Sequence, residues 1–286
     1  MIKKIAAAAF ISLALTGAAF ADDTPTGNSI IYAAKYKGAV EIKTLISAGA
    51  KVNERSEKGR TALMEAAVKE DTESVKLLLE NGADVKLITD AGETVLMLSS
   101  FKGNMDIIKM LVEKGADVNA ADNDSETVLI NSINYRENID VIEYLLEKGA
   151  DINAKDNIGQ TALAVAAREG ITTIVKLLIE KGANINAADN KGITPLMQAA
   201  DNEKEETVKM ILEKLPDKDI NIKDNNGKSA LIYAVERNLK EAVKMIIDKK
   251  ADVNAGDNNG QTALQYAETR CKDGEIISML KAAGAK

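Results

Sequence analysis

Whatever chemistry this chain performs falls to carboxylates, lysines, hydroxyls and one thiol, because its 286 residues include no histidine. That absence removes the commonest general base and the commonest neutral metal ligand, and with them any Ser-His-Asp or Cys-His arrangement. Cys271 is the single cysteine, so no internal disulfide forms, and it reads as a passive, partly packed side chain. No glycine-rich phosphate cradle is present. Carboxylates are plentiful, but Asp189 and Asp224 recur in register with a repeat, which marks them as turn-formers rather than acid–base catalysts. The run Asp122-Asn123-Asp124-Ser125-Glu126 is dense in oxygen ligands, yet it aligns with the ordinary turn of the other repeats and lacks the spacing of a calcium loop. A catalytic site would need carboxylates that converge out of register, and nothing in the sequence points to one. The expectation is a protein that is not an enzyme and uses no cofactor and no metal.

The elements that position these groups follow from composition. Hydrophobic residues make up 45% of the chain but aromatics only 3%, with no Trp, so the core must be built from Ala, Leu, Ile, Val and Met. Such a composition, with three prolines, favours helices packed through small and branched aliphatic side chains. In the segment from Thr161, the hydroxyl caps a short helix, and Leu163, Ala166 and Ala167 share one face. Gly170 ends that helix, and a second carries Ile174, Val175, Leu177 and Leu178 at helical spacing. Gly182 ends the second in the left-handed conformation, Asn184-Ile185-Asn186 is extended, and Asp189 to Gly192 turn.

This segment is one of many. A Gly-Ala pair recurs at Gly49, Gly82, Gly115, Gly149 and Gly182 at intervals of 33, 33, 34 and 33 residues, and returns at Gly284. Around it one phrase repeats (KLLLENGADV, KMLVEKGADVNA, EYLLEKGADINA, KLLIEKGANINA), and a second opens each unit (TALMEAA, TVLMLSS, TALAVAA, TPLMQAA, TALQYAE). These residues resemble the ankyrin repeat family, whose pattern is T-P-L-H-x-A-A followed by L-L-x-x-G-A-D-V-N. The match runs from about Gly27 to the C-terminus, in units at about 27–59, 60–92, 93–125, 126–159, 160–192, 193–227, 228–260 and 261–286. The resemblance implies an all-α solenoid of stacked helix-turn-helix units with β-turn or hairpin tips. Stacking is obligatory, because one unit buries too little apolar surface to offset the ordering of its backbone.

The sequence departs from the family pattern in places. The family's His after Leu is absent, its slot holding Ile31, Met64, Met97, Ile130, Ala164, Met197, Ile232 and Gln265, and packing is expected to replace its hydrogen bond. The fourth unit has one extra residue near Tyr135–Asn138, the sixth has two in Leu215–Lys218, and Lys250 stands in a glycine slot.

The first 21 residues read as a secretory signal peptide. Lys3 and Lys4 lead an apolar stretch from Ile5 to Leu15, and Ala19-Phe20-Ala21 fits a cleavage site. Nothing later is apolar for long enough to span a bilayer. The expected address is the periplasm, with secretion or the cell surface as the alternative. Loss of the leader leaves 35 basic against 44 acidic residues, a balance that disfavours nucleic acid and anionic membranes as partners.

The resemblance implies a scaffold that binds another protein on the concave face formed by tip turns and first helices, and a monomer is expected. A secreted effector or surface protein engaging host proteins is the alternative. Mapped onto this chain, the candidate partner-binding residues are Lys58, Arg60, Val68, Phe101, Lys102, Tyr135, Ile158, Arg168 and Ile193. Val68, Phe101, Tyr135, Ile158 and Ile193 are informative because they are apolar where polar residues are expected, and with Arg60 and Arg168 they have the make-up of binding anchors.

Overall fold

The helices among the described residues are short, and many are delimited by a chemical signal in the sequence. The computed structural model describes residues 29–133 and 138–286; the leader, Tyr135 and most of the fourth-repeat irregularity lie outside them. The inner helices are α1 (Ile30–Tyr36), α3 (Ala62–Val68), α5 (Val95–Lys102), α7 (Val128–Ser132), α9 (Ala162–Glu169), α11 (Pro195–Asp201), α13 (Ala230–Glu236) and α15 (Ala263–Tyr266). Each is followed by an outer helix: α2 (Ala39–Ser47), α4 (Thr72–Glu80), α6 (Met105–Glu113), α8 (Ile139–Glu147), α10 (Thr172–Glu180), α12 (Glu205–Lys214), α14 (Lys240–Asp248) and α16 (Gly274–Ala282). No strand occurs among the described residues, but Ala121 pairs with Thr127, Lys223 with Ser229 and Gly256 with Thr262 as isolated antiparallel bridges at the tips. The fold is an all-α ankyrin-type repeat array, as the sequence pattern implies.

The caps are those read from the sequence. The hydroxyls of Thr61, Thr94, Thr127, Thr161, Thr194 and Thr262 each accept from the backbone N–H three residues on. Asp71 and Asn104 cap outer helices the same way. The vacant His slot is filled in two ways. At most repeats the side chain packs, as expected, and Met64 and Met197 are buried. At two repeats it does more: the Met97 sulfur accepts from the Thr94 N–H at 3.4 Å, and the Gln265 Oε1 accepts from the Thr262 N–H at 2.9 Å.

The chain forms two compact units, one ending at Asp90 and one running from Ala91 to Lys286. In the first, α1 packs on α3 and α2 on α4, with Ile30, Ile42, Leu63, Met64 and Leu78 fully buried. In the second, α9 packs on α11, α11 on α13, α10 on α12 and α12 on α14. Its core is a continuous aliphatic layer that includes Leu163, Ile174, Val175, Leu178, Ile211, Leu231 and Ile246. Alanines make the close approach of inner helices possible: Ala166, Ala167, Ala199 and Ala200 are fully buried. Among the described residues, Tyr233 and Tyr266 are the buried aromatic exceptions.

Asn184-Ile185-Asn186 is not extended. The Asn184 side chain accepts from the Asn186 N–H at 3.0 Å and its carbonyl from the Ala187 N–H at 3.0 Å, which closes a turn. This turn joins repeats together. Asn53, Asn119 and Asn254 each donate to the carbonyl of the helix-terminal glycine one repeat on, Gly82, Gly149 and Gly284. Their Oδ1 atoms accept from the backbone N–H of Asp84, Asp151 and Lys286. The two extra residues of the sixth repeat form a 3-10 turn, Asp217–Asp219, between buried Leu215 and Ile220. Lys249 holds it, donating to the Leu215 carbonyl and to Asp217.

Two glycines with the same backbone conformation differ in their surroundings. Gly182 has φ +91° and open space where a Cβ would stand, whereas a Cβ on Gly159, φ +84°, would meet the Asn190 side chain at 2.5 Å and its backbone nitrogen at 2.7 Å. We expect Gly182→Ala to cost about 1 kcal/mol and Gly159→Ala about 2–3 kcal/mol, read as urea-unfolding midpoints. Lys250 is left-handed at φ +61° with an exposed side chain. Lys250→Gly is expected to stabilise by about 0.5–1 kcal/mol in the same measurement.

Candidate binding face

The tip turns are built on one carboxylate each. The Oδ1 atoms of Asp122, Asp156, Asp189, Asp224 and Asp257 accept from the backbone N–H groups two and four residues on, at 2.7–3.0 Å. The recurring aspartates are therefore turn-formers, as their register indicates. In the first unit Ser56 holds the same place, its hydroxyl accepting from the Arg60 N–H. Successive tips are tied by backbone bonds: the N–H groups of Asn123, Asn157, Asn190, Asn225 and Asn258 donate to the carbonyls of Ala91, Asp124, Ile158, Lys191 and Asn226. In the first unit the Asp90 N–H donates to the Lys58 carbonyl in the same manner. The asparagine side chains add a second rung, Asn190 to Asn157, Asn225 to Asn190 and Asn258 to Asn225.

The residues singled out from the sequence fall on this face in different states. In the first unit, Lys58 is exposed at a tip whose backbone is pinned. Arg60 is half-buried with its Nε 3.0 Å from the Glu65 carboxylate, and Val68 is half-buried at the end of α3. In the second unit, Phe101 and Lys102 are half-buried at the end of α5. Ile158 stands 52% exposed on its tip. Arg168, at the end of α9, donates to Gln160 at 2.7 Å and to Glu169 at 3.0 Å, which ties the inner helix to the Ile158 tip. Ile193 packs against the core. The structure thus brings Ile158, Arg168 and Ile193 into adjacent repeats. Tyr135 lies outside the described residues.

Around Arg168 the face is acidic. Burial raises the carboxyl of Glu126 above its usual range, and the charges of Asp122, Asp156 and Asp124 add to the shift, with Arg168 opposing. Burial also raises Asp122 and Asp156. Two and three repeats on, the face changes character. Tyr233 and Tyr266 donate to the second oxygens of Asp224 and Asp257, each at 2.8 Å. Burial and then that hydrogen bond push the Tyr266 phenol up to about 12, and Tyr233 is raised further for the same reasons. Above the tyrosines lie Lys228, Glu236, Arg237, Arg270 and Asp201, lining a cavity of about 510 Å³. Apart from Asp201, sequence reasoning passed over these residues. A legible signal was available, since Arg237 and Arg270 are two of only six arginines in the chain.

Comparison with known proteins places these features in context. The family model described as ankyrin repeats (3 copies) matches residues 6–89, 70–156, 155–224 and 215–286. A search of the curated proteins finds no match.

The acidic group makes a testable demand. The unfolded chain ionises Glu126 near 4.5 and the folded chain at higher pH, so ionisation opposes folding. The penalty is absent below about pH 4.5 and complete once the folded carboxyl has ionised. Glu126→Gln is expected to raise the melting temperature at pH 7, with the gain vanishing below about pH 4.5 in thermal melts taken across that range.

Proposed function

The chain belongs to the ankyrin repeat family, and from that premise we propose that it is an exported, non-catalytic scaffold that holds a partner protein against its tip turns and inner helices. Ankyrin repeats generally mediate protein–protein interaction. The observation that carries the reading to this face is the pinning of the tips. Their backbones are bonded within and between repeats, so the side chains they carry are preset, and little ordering entropy is lost when a partner docks. Ile158 is the clearest case, a large apolar side chain half exposed on a tip whose own carbonyl is occupied. Arg168 is tied to the same tip through Gln160, and Phe101 lies on an inner helix earlier in the same unit; both are residue types enriched at interfaces. The outer helices supply the back of the array, and their exposed charges serve solvation.

Export rests on the leader pattern of residues 1–21, with the periplasm as its destination. No helix among the described residues is long and apolar enough to cross a membrane.

Affinity capture from the exported fraction of the native cells, with partners identified by mass spectrometry, tests the scaffold reading. Ile158→Ala and Phe101→Ala are each expected to weaken the captured complex at least fivefold, with helix content by circular dichroism unchanged. Loss of helix content in either variant would assign that residue to packing instead. Cell fractionation with mass analysis of the N-terminus checks the address: the expected product sits in the periplasm and begins at Asp22, and a full-length cytoplasmic product defeats the export proposal.

A further inference from the structure

The inner face of the last three repeats carries a feature that the periodic fold does not require. In the repeats whose inner helix follows Thr61, Thr94, Thr161, Thr194 and Ser229, the left-handed residue that ends the inner segment comes nine positions after that residue, at Glu70, Gly103, Gly170, Glu203 and Asn238. From Thr262 it follows ten positions later, at Lys272. The added residue is absorbed as a π-helical turn over Ala267–Cys271. Such turns cost good helical geometry and recur at functional positions. This one sets the Arg270 guanidinium 4.8 Å over the Tyr266 ring, with Nη1 2.6 Å from Glu236 Oε1.

The neighbouring cations converge on the same space. Lys228 Nζ lies 2.6 Å from Glu236 Oε2 and 5.1 Å from the Tyr266 ring centre. Arg237 places Nε and Nη2 at 3.1 and 2.6 Å from Asp201 Oδ1. Arg270 is 59% exposed at the rim, while Glu236 is 13% exposed with a cation on each oxygen. Beneath them Asp224 and Asp257 are each closed by two backbone N–H groups and a tyrosine hydroxyl. A guanidinium carries five donors and an ammonium three, so the four bonds to Glu236 and Asp201 use a minority of those present. The carboxylates act as struts that fix the forks in place, and the side chains that carry the surplus donors line the cavity.

We propose that this cavity is a subsite for an acidic side chain, Asp or Glu, of the partner polypeptide. The inference rests on the scaffold reading and deepens it by naming the chemistry the partner presents. Two preset planar forks match carboxylate geometry bidentately, and lysine between them adds charge. Lys228, which lines the cavity, closes the Asp224 tip turn, so a segment lying along the tips passes beside it. In a chain of formal charge −7, this cavity is lined by three cations and two carboxylates, and the cations already occupy both oxygens of Glu236.

The test uses the full chain and two synthetic probes: a fluorescein-labelled, end-blocked peptide of alternating Glu and Gly, and its Gln counterpart. Binding of the Glu peptide is expected, with at least tenfold loss in Arg237→Gln or Arg270→Gln and a smaller loss in Arg270→Lys, which keeps the charge but not the fork. Lys176→Gln, which removes an exposed charge from outer helix α10, is expected to change affinity less than twofold. Equal binding of the Gln peptide, no binding of the Glu peptide, or equal loss in Lys176→Gln each overturns the proposal. Melting curves confirm that every variant is folded. A natural partner that binds the Arg237→Gln/Arg270→Gln chain undiminished overturns the carboxylate subsite and leaves the scaffold reading intact. Failure of the wild-type chain to capture any partner defeats the scaffold reading itself.

Discussion

An inner helix of four to eight residues has no stability of its own in water, and everything else in this protein follows from how that deficit is met. Within each unit, inner helices of neighbouring repeats lie against one another and hold each other in place. Fully buried alanines, such as Ala166, Ala167, Ala199 and Ala200, let the backbones approach, while Leu163 and Leu196 fill the space between. The hydrophobic effect supplies the attraction and small side chains supply the fit. Caps and turns then satisfy the many helix ends that short helices create, which is why threonines, aspartates and left-handed glycines recur as faithfully as the leucines do.

That arrangement separates structural work from binding work. Helix faces turned to neighbours are consumed by packing, and tip backbones are consumed by bonds to one another. The side chains at the tips and on the exposed side of the inner helices are left to vary. Along the second unit this variable strip is acidic near Glu126 and Asp156, bears Ile158 and Arg168 in the middle, and gives way to a tyrosine-backed cluster of arginine and lysine near Arg270. A partner that complements the strip would have to match its order along the chain, which is a stronger demand than matching its area.

The fold was legible because its information is periodic. A 33-residue spacing exposes the hydrophobic pattern, the capping threonines and the turn aspartates repeatedly, so each reading is checked by its neighbours. Local hydrogen-bond chemistry was read less well. The stretch Asn184-Ile185-Asn186 looks extended by composition, but the Asn184 side chain bends it into a turn. At Met97 and Gln265 the residue expected only to pack also accepts a hydrogen bond. The basic cluster escaped notice because its members meet across repeats, Arg237 with Asp201 and Arg270 with Glu236, and because one added residue after Thr262 moves Arg270 out of the common register. Periodic reading finds what recurs and passes over what departs once.

The asparagine and tip bonds described above have a uniform reach: they join residues 29 to 35 positions apart. No rung of that kind closes a large loop, so the entropy of closure is met in equal, modest steps. A chain with such low-order contacts can nucleate at any well-packed pair of repeats and extend by accretion, each new repeat finding a finished edge to settle on. Assembly can then follow the order in which the polypeptide emerges, one repeat at a time, without waiting for its distant end.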